Sequence, residues 1–153
     1  MDETELMENA LREAEDAGED VPVGCVIEYR GKIIARAHNM RETGKPEAIF
    51  SHAEMLCMLR AAEALGTRRL KGCRLAVTLE PCPMCAGAIV QARFDRCVFA
   101  ACSDKAGCAG SVVNLLQEPN FNHQVDMTSG VMEEESQALI RRFFKELRER
   151  TQG

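Results

Sequence analysis

RLAVTLEPCPMC, residues 74–85, joins a strand to a turn that carries two cysteines. Its apolar first half is typical of a buried strand, and Pro83 suits the first position of a helix, where no backbone donor is missed. Cys82 and Cys85 are three residues apart, so both sulfurs project from one face of that helix. The start of a helix also favours thiolates, because its N–H groups and its dipole are positive there. The stretch therefore predicts a strand, a turn and a helix, with two thiolates placed to bind one metal ion.

A second motif, His52-Ala53-Glu54, supplies further chemistry. A histidine and two thiolates are three ligands that zinc prefers, and they leave a fourth tetrahedral position for water. His52 and Glu54 cannot face the same way from an ideal helix, because residues two apart point to nearly opposite sides. We therefore expect a helix that begins at Ser51 or His52, with Glu54 beside the water but not bound to the metal. Such a glutamate can move protons from the water to a substrate ring nitrogen and to departing ammonia, so the motifs predict a hydrolytic zinc centre.

A structural metal site is the alternative interpretation of these motifs. C-x-x-C pairs also occur in redox motifs and in structural zinc sites, and a lone H-x-E is usually a solvated helix surface. A structural zinc site needs a fourth protein ligand, which Cys57, Cys73 or His38 could supply. The flanking prolines and Glu80 favour the hydrolytic interpretation.

Length and composition bound the class of protein. The 153 residues suit one domain, residues 1–153, and 46% hydrophobic residues are typical of a soluble globular fold. No secretory signal and no long apolar run is visible, so we expect a cytoplasmic protein without a membrane segment. Of the eight cysteines, those outside the motif fall mostly in apolar segments and are expected to be small buried hydrophobes rather than disulfides.

The net charge of −5 is unevenly distributed along the chain. Residues 1–20 hold nine acidic residues against Arg12, a balance of −8, which leaves +3 on the remaining chain. The basic residues cluster at 68–74, 93–96 and 141–150. This pattern permits a local phosphate-binding face, although runs of charge are more often ordinary solvated surface.

The order of the predicted elements indicates an α/β fold. Helices are expected at 4–17, 55–65, 86–93 and 133–150, and strands at 21–27, 32–38, 74–79, 96–101 and 124–127. The segment 40–51 contains Gly44 and Pro46 and is expected to be a loop. Strands that alternate with helices predict crossover connections in a sheet with helices on both faces. We expect the chemistry where strands lead into helices.

The chain resembles the bacterial tRNA adenosine deaminases of the cytidine deaminase-like superfamily over nearly its whole length. H-x-E followed by P-C-x-x-C is the signature of zinc-dependent deaminases as a class. The more specific similar stretches are 21–24, 78–82, 86–88, 110–111, 114–116, 120–123 and the last helix with Phe143 and Phe144. The resemblance implies a three-layer α/β/α, cytidine deaminase-like fold, in which a mixed central sheet of about five strands has helices on both faces.

The resemblance also implies an activity, the conversion of adenosine to inosine at the wobble position of a tRNA anticodon loop. The enzyme would be a homodimer with one zinc ion (Zn²⁺) per subunit. By position, zinc would be bound by His52, Cys82 and Cys85. Glu54 would be the catalytic residue that shuttles protons.

Substrate contacts follow from the same resemblance and are expected from Asn39, Pro22, Val23 and Ala53. Pro22 and Val23 would form walls of the pocket. An asparagine just past a strand end can pair with a ribose or a base edge, or it can serve as a turn residue. A base in an anticodon loop is already unpaired and is therefore easily extruded into such a pocket.

Two segments depart from the family pattern. The run before His52, residues 47–51, differs from the usual sequence and lengthens the interval after Asn39. In the loop at 102–105 the aspartate is displaced by one position. Both loops border the pocket in relatives, so the sequence specifies the identity of the substrate less closely than the chemistry. Two alternatives to the tRNA substrate stay open, and the altered loops favour the first of them. One is a free nucleobase deaminase of the guanine or cytosine type, acting on a free purine or pyrimidine base; the other is a non-catalytic zinc-binding partner subunit. Phe143 and Phe144 could pack in the core or stack on a nucleotide.

Overall fold

The computed structural model describes residues 1–152, in which a five-stranded sheet lies between two layers of helices. The helices are α1 (Glu3–Glu15), α2 (Ala53–Leu65), α3 (Pro83–Gln91) and α4 (Glu133–Gln152), and short 3-10 helices span Arg41–Thr43 and Pro46–Phe50. The strands are β1 (Gly24–Tyr29), β2 (Lys32–His38), β3 (Cys73–Leu79), β4 (Arg96–Ala101) and β5 (Asp126–Thr128). The strand order is β2-β1-β3-β4-β5; β1 is antiparallel to β2 and β3, whereas β3, β4 and β5 are parallel. The predicted mixed sheet of five strands is confirmed.

Side chains of the central strands alternate between two apolar faces of the sheet. On one face, Ile27 and Leu75 belong to a core that includes residues of α2 and α3. On the other face, Val26 and Ala76 pack with Leu6 of α1, and α4 joins the same layer. Helices therefore cover both faces, as the sequence predicted.

Helix α1 lies directly on the backbone of β1. Asp2 caps the helix by accepting a hydrogen bond from the Glu5 N–H at 2.8 Å. A Cβ atom at Gly24 would collide with the backbone of Ala10 and Ala14. Only glycine permits this close approach, and it is the reason that β1 begins with that residue.

Local hydrogen bonds account for two of the differences between the observed elements and the sequence prediction. β1 begins at Gly24 rather than at residue 21, since the Val23 N–H donates to the Val21 carbonyl at 2.8 Å in a tight turn. The predicted loop at 40–51 contains the two 3-10 helices. Its ends are tied together by a 3.0 Å hydrogen bond from the Met40 N–H to the Ser51 carbonyl.

Helix α4 is the longest helix, yet Ser136 is its one fully buried residue. Phe143 and Phe144 pack edge to face with ring centroids 5.2 Å apart, and Phe144 is 41% exposed. Because neither ring is buried, the interpretation of this pair as core residues is wrong.

Among residues 1–152, no helix is both long enough and apolar enough to cross a membrane.

Candidate active site

The N-termini of α2 and α3 bring together the three predicted metal ligands. His52 is the N-cap of α2 and Cys82 is the N-cap of α3; each has an extended backbone and makes no capping hydrogen bond with its side chain. Cys85 follows in the first turn of α3, after Pro83. The Nδ1 atom of His52 lies 3.6 Å from the sulfurs of both Cys82 and Cys85. The side chains that would otherwise cap two helices are thus free to share an ion.

The spacing of these atoms fits zinc. The imidazole nitrogen and the two sulfurs lie within 4.8 Å of one another. In a tetrahedral zinc site, bonds of about 2.0 Å to nitrogen and about 2.3 Å to sulfur separate those two ligands by about 3.6 Å. The observed separation of 3.6 Å between His52 Nδ1 and each sulfur agrees with that geometry.

No fourth protein ligand joins this group among the described residues. Cys57 donates instead to the Cys25 carbonyl at 3.4 Å, and Nδ1 of His38 lies 3.2 Å from Glu13 Oε2. Cys73 lies at the opposite end of β3 from the ligand turn. The arrangement therefore favours the open, three-ligand site over a structural four-ligand site.

The contacts within the cluster favour one thiolate. The hydrogen bond from the Cys85 thiol, together with that to His52, lowers the pKa of Cys82 to about 4. The same bond and burial raise the pKa of Cys85. The hydrogen bond to Cys82 also raises the pKa of His52. Cys85 would therefore give up its proton in order to bind zinc as a thiolate.

Glu54 lies in the first turn of α2, beside the ligands but outside the metal-binding group. It is 4% exposed, and burial is the main cause that raises its pKa to about 7. A carboxyl group with such a pKa can both accept and return a proton near neutral pH. Its position is the one that the sequence predicted for a proton shuttle.

A cavity of about 180 Å³ opens beside these residues. It is lined by Val21, Val23, Asn39, Arg41, His52, Glu54, Leu79, Glu80, Cys82, Ser103 and Ala106. The wall residues come from the segments before β1, after β2 and after β3, and from the loop after β4. The cavity has room for one base-sized ring system rather than for a paired nucleic-acid stem.

Some of the other residues predicted to contact substrate line the cavity, whereas others lie behind or beside its wall. Asn39 lines the cavity, and its Oδ1 accepts a hydrogen bond from the Ala53 N–H at 2.9 Å. Ala53 is fully buried and does not line the cavity, so its backbone fixes the asparagine. Pro22 is absent from the lining; it borders a groove with Leu139 and Phe143 of α4, while its neighbour Val23 faces the site.

Two further acidic residues shape the cavity, and the sequence analysis did not assign them this role. Asp20, counted there only as part of the acidic N-terminal segment, is 5% exposed and accepts hydrogen bonds from the N–H groups of Arg41 and Glu42 at 2.5 and 3.0 Å. It thereby holds the 3-10 helix that places Arg41 on the cavity wall. Glu80 is 3% exposed; burial raises its pKa, but hydrogen bonds from Ser111 and other donors outweigh burial and lower it overall.

Comparisons with known proteins agree with this geometry. The family model described as the cytidine and deoxycytidylate deaminase zinc-binding region matches residues 1–101. The tRNA-specific adenosine deaminase of Bacillus subtilis (strain 168) is 52% identical over 146 residues, which cover 94% of this chain and 89% of that protein. The protein of the same name from Aquifex aeolicus (strain VF5) is 46% identical, with 91% of each chain covered.

Solved structures place the fold in the same group. A structure from work on A-to-I editing by tRNA:A34 deaminases at the wobble position of transfer RNA is 43% identical with a TM-score of 0.82, covering 89% of this chain and 99% of that one. A guanine deaminase from Bacillus subtilis is 35% identical with a TM-score of 0.62, covering 67% and 66% of the two chains. The cytidine deaminase-like fold predicted from the sequence is confirmed. With its His52, Cys82 and Cys85 cluster, the chain belongs to the zinc-binding cytidine and deoxycytidylate deaminase family.

Proposed function

We propose that this protein is a zinc-dependent deaminase that converts adenosine to inosine at the wobble position of a tRNA anticodon loop. The observation that carries the proposal is the cluster of His52, Cys82 and Cys85 at two helix N-termini, with the buried Glu54 beside it in a small cavity. The choice of substrate rests on two relatives named tRNA-specific adenosine deaminase. They are 52% and 46% identical to this chain over at least nine tenths of its length. A cytoplasmic location follows from that substrate as part of the proposal.

The chemistry divides between the metal and the chain. Zinc held by the three ligands supplies a Lewis acid that makes water nucleophilic at neutral pH. Glu54 takes one proton from the attacking water and delivers it to a ring nitrogen of adenine. It then takes the second proton from the hydroxyl group now on the purine carbon and gives it to the amino group, so that the C–N bond breaks, ammonia leaves and the C=O group of inosine forms. Asn39, fixed through Ala53, is placed to orient the nucleoside, and Val23 forms an apolar wall for the base.

The size of the cavity supports an extruded base as the reacting group. A volume of about 180 Å³ does not accommodate a base pair, so the target must leave its stack before it reacts. An anticodon-loop base is unpaired, which makes this extrusion inexpensive in free energy. The ribose and phosphates would then remain at the mouth of the cavity, where Arg41 supplies a positive charge.

A free purine base is the second candidate substrate. The similarity to a guanine deaminase supports it, as does the unusual segment before His52, in which Ile49 and Phe50 are 68% and 60% exposed. The coverage by that relative, about two thirds of each chain, is much lower than that by the tRNA-specific adenosine deaminases. A non-catalytic partner subunit is disfavoured by the buried Glu54 beside an open site.

We further infer that the protein forms a homodimer through α2 and α3. Met55, Leu59 and Ala62 recur at helical spacing on α2, and with Ala88 of α3 they line a groove of about 330 Å³. Leu59 is 59% exposed in the isolated chain. A large aliphatic side chain on an apolar helix face is typical of a surface that a second copy covers.

The test of the function is ammonia release by the zinc-loaded protein. The substrates compared are an anticodon stem-loop with adenosine at the wobble position, the same stem-loop with inosine there, free adenosine, guanine and cytosine. We expect turnover of the first RNA alone. Equal ammonia from the inosine stem-loop would contradict the wobble assignment, and turnover restricted to a free base would select the second candidate.

A further inference from the structure

The loop that follows β4 is held by one buried carboxylate, that of Glu80. Its Oε1 accepts hydrogen bonds from the Ser103 N–H at 3.1 Å and from the Ser111 hydroxyl. Its Oε2 accepts from the N–H groups of Ala109 and Ser111 at 2.9 and 3.0 Å. Four donors thus fill the roughly four acceptor positions of a carboxylate. Although Glu80 borders the cavity, it has no acceptor position left for a substrate proton.

The same loop is tied to the metal-ligand turn by backbone hydrogen bonds. The Glu80 N–H donates to the Ala101 carbonyl at 2.8 Å, and the Cys108 N–H donates to the Pro81 carbonyl at 2.8 Å. Glu80 and Pro81 directly precede the ligand Cys82. The start of the loop at Ser103 and its middle at Ala106 line the cavity. One short segment therefore joins a zinc ligand to a cavity wall.

Gly107 provides an independent observation of the same anchor. A Cβ atom at this position would lie 2.5 Å from both carboxylate oxygens of Glu80. Such a distance is well inside van der Waals contact, so a side chain at position 107 and the carboxylate in its observed position exclude each other. The backbone of the loop is packed against the carboxylate as well as hydrogen-bonded to it.

We propose that Glu80 is a positioning residue for substrate: it fixes the loop from 102 to 111 against the turn that carries Cys82, and so sets the distance between the metal and this cavity wall. The loop has few apolar contacts of its own near the cavity, since Ser103 to Ala106 are not buried. The carboxylate therefore supplies a constraint on this part of the loop, in addition to the Cys108 hydrogen bond and the burial of Cys108 and Ala109. Its kinetic consequences rest on the proposed deaminase function.

Glu80→Gln tests the proposal, and Glu28→Gln is its matched control. Glu28 is also a buried carboxylate, 6% exposed, and it accepts hydrogen bonds from Arg74 and Gly31 at the far end of β1. In Glu80→Gln the new amide N–H₂ group faces N–H donors, so the loop loses its anchor. With zinc content and folding verified, we expect kcat/KM for the stem-loop to fall about ten- to a hundredfold, mainly through KM. Glu28→Gln should keep the wild-type kcat/KM. A Glu80→Gln enzyme that lost only thermal stability would overturn the proposal.

A double-mutant cycle separates positioning from a direct effect of the missing charge. Gly107→Ala keeps the carboxylate but displaces the loop, so it should lower kcat/KM on its own. In the Glu80→Ala background the added methyl group meets no carboxylate, and Gly107→Ala should have little further effect. Additive losses in the double variant would overturn the proposal.

Amide hydrogen exchange tests whether Glu80 anchors the loop, and the measurement requires no substrate. In the zinc-loaded protein the N–H groups of Ser103, Ala109 and Ser111 should be protected, and Glu80→Gln should remove that protection while Glu28→Gln does not. Unchanged protection in Glu80→Gln would overturn the inference. If the wild-type protein deaminated no RNA, the proposed function would fail while this result would still decide whether Glu80 holds the loop.

Discussion

At the scale of single residues, Glu54 has the clearest predicted consequence. Glu54→Gln retains the shape of the side chain but cannot take a proton, so we expect kcat to fall by a factor of about 10² to 10⁴. Zinc should remain bound, because Glu54 lies outside the metal-binding group. Ammonia release and native mass spectrometry measure the two effects. Glu63→Gln, an exposed change on the same helix, is the control. Normal turnover by Glu54→Gln would remove the proton shuttle from the mechanism.

Glu28 gives a prediction about pH at the same scale. Burial raises its pKa, but the hydrogen bonds from Arg74 and Gly31 outweigh burial and hold it below the usual 4.5. A lowered pKa in the folded state stabilises the fold above pH 4.5, and that contribution is lost as the pH falls through the folded-state value. We expect Glu28→Gln to lower the free energy of unfolding by about 1–2 kcal/mol at pH 7.

The difference between wild type and Glu28→Gln should therefore shrink as the pH falls below 4.5. Urea unfolding of both proteins at pH 7 and at pH 3.5 checks the sign, with the same change at the exposed Glu63 as a control. A difference that grew at low pH would show that the pair with Arg74 does not stabilise the fold.

Individual residues were predictable from sequence where their chemistry depends on local spacing. The motifs H-x-E and C-x-x-C brought out His52, Cys82 and Cys85, because their residue types are those that zinc prefers and the interval of three places both sulfurs on one side of a helix. That the two motifs meet although they are 30 residues apart is a property of the fold. The structural roles of Glu80 and Asp20 were not predictable, because their hydrogen-bond partners lie about 20 or more residues away. Pro22 borders the groove with α4 and not the cavity, and the turn between Val21 and Val23 that separates it from Val23 is not visible in the sequence pattern.

At the scale of secondary-structure elements, the contact between α1 and β1 depends on Gly24. A Cβ atom there would meet backbone atoms of Ala10 and Ala14, which cannot move aside as a flexible side chain can. We expect Gly24→Ala to lower the free energy of unfolding by about 1–3 kcal/mol. Gly87→Ala is the control; it adds the same atom within α3, where nothing lies within 4 Å. Thermal and urea unfolding compare the two, and equal stabilities would contradict the close packing of α1.

Zinc joins two elements that are distant in sequence, α2 and α3. Removal of the metal by a chelator should lower the melting temperature by at least about 5 °C, because the ion binds the folded arrangement of His52, Cys82 and Cys85. Cys85→Ala should melt like the chelated protein and should not respond to the chelator. Cys102→Ala, an exposed change outside the cluster, is the control. A melting temperature unaffected by chelation would mean that the metal does not hold these helices together.

Element order was predictable from hydrophobic periodicity, whereas the segment between β2 and α2 was not. The run 40–51 has no apolar period, and its two 3-10 helices arise from local turns around Pro46 and from the hydrogen bonds to the Asp20 carboxylate. A pattern of hydrophobic residues contains no information about such a distant carboxylate.

At the scale of the whole molecule, the most acidic helix and the active site lie on different faces of the sheet. The acidic α1 packs on the sheet face opposite to α2 and α3, whose N-termini form the active site. The net charge of −5 therefore says little about the surface that an RNA would approach. Leu59 is exposed on the outer side of α2, and no residue from Met55 to Leu59 is charged. This side of α2 is therefore the candidate surface for association with a second copy of the chain.

The proposed homodimer predicts the effect of a single charge on α2. Leu59→Lys would place an ammonium group in the apolar groove, so association should be lost because a buried unpaired charge is strongly unfavourable. Sedimentation equilibrium should give twice 16.9 kDa for the wild type and 16.9 kDa for Leu59→Lys. Leu147→Lys, the same change at a 37% exposed side chain on α4, should remain dimeric. A wild-type protein that sediments as a monomer, or a Leu59→Lys variant that stays dimeric, would rule out this face of α2 as the interface.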